Sequence, residues 1–105
     1  MKADDPLKLE AKLFKGLAEP SRLAILESVM NSSKSVSEIV EDTNLSQPNV
    51  SMHLACLLGC GLVQNKKEGR NSHYQLSSPE IKELIILARK IMSQHAEQIY
   101  NCTKY

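Results

Sequence analysis

The stretch LSQPNVSMHLACLLGCGLV, residues 45–63, carries its own helix start and stop signals. Ser46 can accept from the unpaired N–H groups of a first turn, Pro48 sits where its missing donor is not needed, and Gly59 and Gly61 end the element. The signals predict a helix from about Gln47 to about Leu58. Val50, Leu54, Leu57 and Leu58 recur at helical spacing and should face a core. Gln47, Asn49, Ser51, Met52 and His53 are then left on the other side near the N-terminal end. Amides, hydroxyls and an imidazole suit base edges and phosphates; the same residues would also make an ordinary solvated face. Cys56 and Cys60 occupy the second half, so a DNA contact and a metal or redox contact would share one rigid rod.

Around this rod the chain has room for one domain, residues 1–105. Its 105 residues are 42% hydrophobic with four aromatics, so the core must be aliphatic, and a helical domain is favoured. A net charge of +1 is no global nucleic-acid signature. DNA affinity would have to come from local charge, and NKKEGRNSHY supplies a basic cluster while EIVED is acidic. There is no signal peptide or apolar run of membrane length, and three cysteines do not make a disulfide framework. These features point to a soluble protein of the reducing cytoplasm with no membrane partner.

Taken in order, Met1–Asp5 is expected to fray. Leu9, Leu13, Phe14 and Leu17 mark a first amphipathic helix. Pro20 opens a second carrying Leu23, Ile25, Leu26, Val29 and Met30, which Asn31 and the following serines terminate. Ser35 and Glu38 form an S-x-x-E capping box ahead of Ile39 and Val40, and the turn TNLS leads into the rod: the layout of a helix-turn-helix. LVQNKK and SHYQL, flanking Glu68, Gly69, Arg70 and Asn71, read as a hairpin whose tip carries Lys66, Lys67 and Arg70. Beside a recognition helix it would be a wing on flanking phosphates; alone it would be a solvated turn. A last helix begins near Ser78 and Pro79 and runs through Ile81, Leu84, Ile85, Ala88, Ile91, Met92, His95 and Ile99. Ile86 and Leu87 widen its apolar stripe beyond what one core needs, which predicts a homodimer with two recognition helices about one DNA turn apart. The expected fold is mostly α with a β-hairpin wing, a winged helix-turn-helix in the order α-α-α-α-β-β-α.

LFKGLAEPSRLAIL, LSQPNVSMHLACLLGCGLV and EGRNSHYQL, in that order, resemble the ArsR/SmtB family of winged-helix repressors across nearly the whole chain. The resemblance implies a homodimeric transcriptional repressor that leaves double-stranded operator DNA when an inducer, usually a thiophilic or borderline metal ion, is bound. Family sensing sites lie in several places. Cysteines of the third helix have no counterpart in SVSEIVEDT. The carboxylate and histidine pairs of the last helices correspond to Ser78, Glu80, Ile91 and Gln94, of which only Glu80 could ligate, so a zinc site of that type is not expected. HLACLLGCGLV resembles the cadmium- and lead-sensing branch, whose ligands are two cysteines of this segment and a third from the partner subunit's tail. That implies Cys56, Cys60 and Cys102.

The chemistry of the residues agrees. Side chains four apart on a helix have Cβ atoms roughly 5–6 Å apart, so two thiolates can meet one large soft ion. Cys102, in YNCTKY, could reach its own pair or that of another subunit. Three thiolates suit Cd2+, Pb2+ or arsenite, and admit Zn2+, better than Mg2+ or Ca2+. Two other readings remain open: small buried core residues, or thiols sensing oxidant or sulfide. For the latter, Cys56 and Cys60 are badly placed for a mutual disulfide, so any link should involve Cys102. His53 reads as DNA-facing, His73 as a wing residue and His95 as part of the dimer helix. No phosphate loop or converging acid and base pair supports catalysis, so an enzyme is not expected. The DNA set is Gln47, Asn49, Ser51, Met52 and His53 in the major groove, with Lys66, Lys67 and Arg70 on phosphates.

Overall fold

The computed structural model describes residues 5–104. Of the stretch expected to fray, residues 1–4 lie outside the described residues, whereas Asp5 caps the first helix, its carboxylate accepting from Lys8 N at 3.2 Å. That helix, α1, is Pro6–Leu17 and α2 is Pro20–Ser28, each with proline at its start. Proline fits there because its fixed φ is helical and the first turn has no use for its N–H.

Both halves of the expected capping box form at α3, Val36–Thr43: Glu38 N donates to Ser35 Oγ at 3.2 Å and Ser35 N to Glu38 Oε1 at 2.9 Å. Asn44 ends α3 in the left-handed region with φ 59°, a conformation asparagine tolerates better than most residues. After the turn comes α4, Gln47–Gly59, where Ser46 Oγ accepts from Asn49 N at 3.3 Å. Strands β1, Val63–Glu68, and β2, Asn71–Leu76, pair antiparallel with Val63 opposite Leu76. Gly69 has φ 64° and Arg70 does not share a positive φ, the pattern of a type II′ hairpin turn. The last helix, α5, is Pro79–Asn101.

The core is aliphatic: Leu17, Ile25, Leu26, Val29, Ile39, Val50, Leu54, Leu57, Leu62, Val63 and Ile85 are buried together. At about 1.5–3 kcal/mol for each buried Leu, Ile or Val, this set is the main force joining α2, α3, α4 and the hairpin. Several expectations need correction. Leu58 is exposed, while Leu54 and Leu57 fill the core-facing positions. Helix α2 stops at Ser28, before Asn31, with Val29 still buried as its cap. On α1 only Leu17 is buried, and on α5 only Ile85. A bridge between Lys34 and Tyr74 extends the hairpin, with backbone bonds of 3.0 and 2.8 Å. Helix α5 breaks its geometry at His95, φ −133° and ψ 23°. The Ser93 hydroxyl donates to Lys90 O at 2.7 Å just before the break, a back-bond of the kind that bends helices.

Three carboxyls titrate below their ordinary values: Glu19, held down by the Arg22 N–H; Glu38, by the N–H and hydroxyl of Ser35; and Asp42, by the Lys34 ammonium and the Ser28 hydroxyl. A depressed folded pKa gives stability that is present above the ordinary value, 4.5 for Glu and 3.8 for Asp, and lost as pH falls through the folded one. Melting temperature should therefore hold from neutral pH to about 5 and drop on further acidification. Glu38→Gln should flatten that drop in melts recorded across the pH range.

Candidate nucleic-acid interface and thiol pair

The N-terminal half of α4 buries Val50 in the core and turns a polar face outward. Gln47, Asn49 and Ser51 are exposed, and Met52 is 59% exposed. Gln47 Nε2 lies 3.4 Å from Ser51 Oγ, a weak bond that pre-orients the amide along the helix. The first turn carries no acid, so the positive helix end is open to a phosphate.

His53 is placed differently from the sequence expectation. Its side chain is 14% exposed and Nε2 lies 3.8 Å from Glu19 Oε2, because the α1–α2 junction lies against that side of α4. It is therefore turned into the body rather than presented with Gln47 and Asn49.

In the hairpin, Lys66, Lys67 and Arg70 are all exposed. Lys66 faces His73 across the ladder and Lys67 faces Ser72. Alternation sends the two lysines to opposite faces of the hairpin.

Cys56, Cys60 and Cys102 are free and exposed, which removes the reading of the thiols as core residues. Cys60 is the C-cap of α4 with φ −86° and ψ −4°, and its N–H donates to Cys56 O at 3.0 Å, so the two thiols keep one-turn spacing. By helical spacing Asn49, His53, Cys56 and Cys60 fall on one stripe, Cys56 about 10 Å and Cys60 about 16 Å along the axis from Asn49. Cys60 borders a groove of about 670 Å³ whose other wall is α1, with Leu9, Glu10, Leu13 and Gly16. Among the described residues of one protomer, no three His, Cys, Asp or Glu side chains converge on a metal position. Cys102, beyond α5, is thus not brought to the pair within a protomer.

Glu19 and Arg22 escaped the sequence reading. Glu19 caps α2, accepting from Arg22 N at 2.9 Å, while Arg22 Nε donates to Gly16 O at 2.7 Å and Nη2 to Lys15 O at 3.0 Å. The E-P-x-R spacing, with an acid at the cap of a proline-led helix, was the available signal.

A helix-turn-helix with an exposed polar recognition face and a basic two-stranded wing defines a winged-helix DNA-binding protein. Residues 19–65 match the family described as bacterial regulatory protein, arsR family. A Streptomyces lividans protein described as a probable mercury resistance operon repressor is 35% identical over 90% of the chain and 75% of its own length. The crystal structure of Mycobacterium tuberculosis Rv0081 has TM-score 0.81 at 34% identity, covering 92% of the chain and 99% of that protein. The Mycobacterium bovis domain Mb0332, described as a homodimeric winged helix-turn-helix DNA-binding domain, has TM-score 0.79 at 26% identity over 93% and 94% of the two chains. The chain belongs to the arsR family of bacterial regulatory proteins. It is accordingly a DNA-binding transcriptional regulator and not an enzyme. No helix among the described residues is long and apolar enough to cross a membrane.

Proposed function

We propose that the chain is a homodimeric repressor that holds operator DNA when metal-free and releases it when a soft ion, Cd2+ or Pb2+, binds Cys56, Cys60 and Cys102. The observation that carries this is the pair of exposed thiols one turn apart on the same helix that presents the DNA-facing residues. The donor set fits a thiophilic ion: two thiolates can share it, and because no three such donors converge among the described residues of one protomer, the third is Cys102 of a second copy. Arsenite fits three thiolates as well. Zn2+ fits less well, since it usually takes four donors and the proposed set has three thiolates. The mercury operon relative is consistent with a thiophilic inducer.

Dimerisation has its surface ready. Leu9, Leu13 and Phe14 of α1 and Ile86, Leu87 and Ile91 of α5 are exposed apolar residues with no cover in one protomer. In the dimer Gln47, Asn49, Ser51 and Met52 reach base edges, while Lys66, Lys67 and Arg70 hold phosphates. Such a regulator works in the cytoplasm, where DNA and reduced thiols coexist. Metal binding clamps the C-terminal end of α4 to the partner's tail and selects a geometry that fits two half-sites poorly. By linkage, DNA weakens metal binding by the same factor. The exposure of all three thiols also suits an oxidant- or sulfide-responsive repressor, in which Cys102 would supply the link.

The DNA half is tested on a duplex selected in vitro from random sequence. Arg70→Ala and Lys67→Ala should weaken binding to all sequences alike, each reducing the slope of log affinity against log salt by about 0.9. Gln47→Ala should instead relax preference at one base position. Three variants with unchanged operator affinity would overturn this assignment of the interface.

A further inference from the structure

Three helices meet at Glu19. It lies on the short link between the end of α1 at Leu17 and the start of α2 at Pro20. Its carboxylate caps α2 through Arg22 N, and Oε2 sits 3.8 Å from His53 Nε2 on α4. Arg22 closes the junction from the other side by forking to the Lys15 and Gly16 carbonyls, the open end of α1. One carboxylate and one guanidinium thus connect the end of α1, the start of α2 and the middle of the recognition helix.

We propose that His53 is a positioning residue. Its imidazole, seated on Glu19, holds α4 against the α1–α2 junction in the DNA-competent arrangement, and this seat yields when the thiol pair is occupied. The inference rests on the thiolate reading above and names the element through which that site acts. Cys56 lies one turn from His53 on the same stripe, about 4.5 Å along the axis. Cys60 borders the groove whose far wall is α1. An ion that draws these thiols toward a second copy shifts α4 relative to α1. Arg22 fixes the end of α1 to the element that carries Glu19, so the His53–Glu19 separation is the local distance that must change. At 3.8 Å, with Glu19 one-third exposed, the contact is longer than a direct hydrogen bond and opens readily when α4 shifts.

The test uses His53→Gln and Glu19→Gln in the full chain, with Cd2+ as the probe. The readouts are operator affinity with and without Cd2+, the thiolate-to-Cd2+ absorption band, and base preference. Each variant should lose metal-free operator affinity by about tenfold or more while its Cd2+-loaded affinity and its Cd2+ titration stay as in the wild type, so the ratio of the two affinities collapses toward one. The double variant should lose no more than either single one. A merely structural role would lower both affinities together and preserve the ratio, which would overturn the inference, as would unchanged affinities or an altered base preference in His53→Gln. If the wild type shows neither band nor release with Cd2+, the thiolate reading itself fails and this inference falls with it. If the wild type responds and the variants keep its ratio, only the inference about His53 fails.

Discussion

Cys102→Ser is expected to lower Cd2+ or Pb2+ affinity by more than about 100-fold, since even loss of an outer-shell partner of a metal ligand typically costs 10–100-fold. The same variant should bind operator DNA like the wild type when metal-free. Cys102 follows α5, is exposed, and belongs to no part of the core, so removing its sulfur leaves the fold and the DNA-facing half of α4 untouched. Cys56→Ser and Cys60→Ser should show similar losses of metal affinity. Mixing Cys102→Ser with Cys56→Ser protein separates the two possible geometries. If the third thiolate comes from the partner, mixed dimers hold one site with all three sulfurs and recover one equivalent of tight metal per dimer. A ligand from the same chain would leave every site one sulfur short. An unchanged metal response in Cys102→Ser would exclude this residue and leave a two-thiol site.

Ile91→Glu is expected to break the dimer without unfolding the protomer. Ile91 is 48% exposed on α5, away from the buried cluster, so a carboxylate there is solvated in the monomer and desolvated only across a two-fold interface, where symmetry introduces it twice. A lone protomer reaches one half-site, and operator affinity should fall toward the non-specific level, roughly a thousandfold or more. Leu84→Glu provides the contrast: Leu84 packs against the core, and a charge there should unfold the domain itself. Sedimentation at micromolar concentration with circular dichroism distinguishes the outcomes. A well-folded wild-type monomer at that concentration would contradict the dimer.

Features set by a few neighbouring residues are legible in the sequence. Ser46 and Pro48 place the start of α4, Ser35 and Glu38 make the capping box, and Gly69 fixes the hairpin turn, because each acts on backbone within three or four residues. The exposure of Gln47, Asn49, Ser51 and Met52 follows from helical periodicity, whereas periodicity left core or surface open for the thiols, which the structure shows exposed. Long-range placements are not legible. His53 lies on the same helix as Gln47, and only the approach of the α1–α2 junction, more than thirty residues earlier in the chain, turns it inward onto Glu19. The Lys34–Tyr74 bridge joins segments forty residues apart, and neither segment reads as a strand partner of the other. Leu58 looks like Leu57 in sequence, and only the completed core decides which of the two it has room for. The break at His95 has no proline or glycine to announce it.

If thiolates on the recognition helix govern its hold on DNA, ion binding and DNA release are two faces of one event. Titrating Cd2+ into the fully reduced wild-type protein on labelled operator, with ultraviolet absorption and fluorescence anisotropy recorded from the same sample, measures both at once. A thiolate-to-Cd2+ charge-transfer band should grow in step with the loss of anisotropy, both saturating at the same equivalents, with chelator reversing the two together. Release by oxidant or sulfide in the presence of chelator, with Cd2+ producing neither band nor release, would contradict control by a thiolate-bound ion.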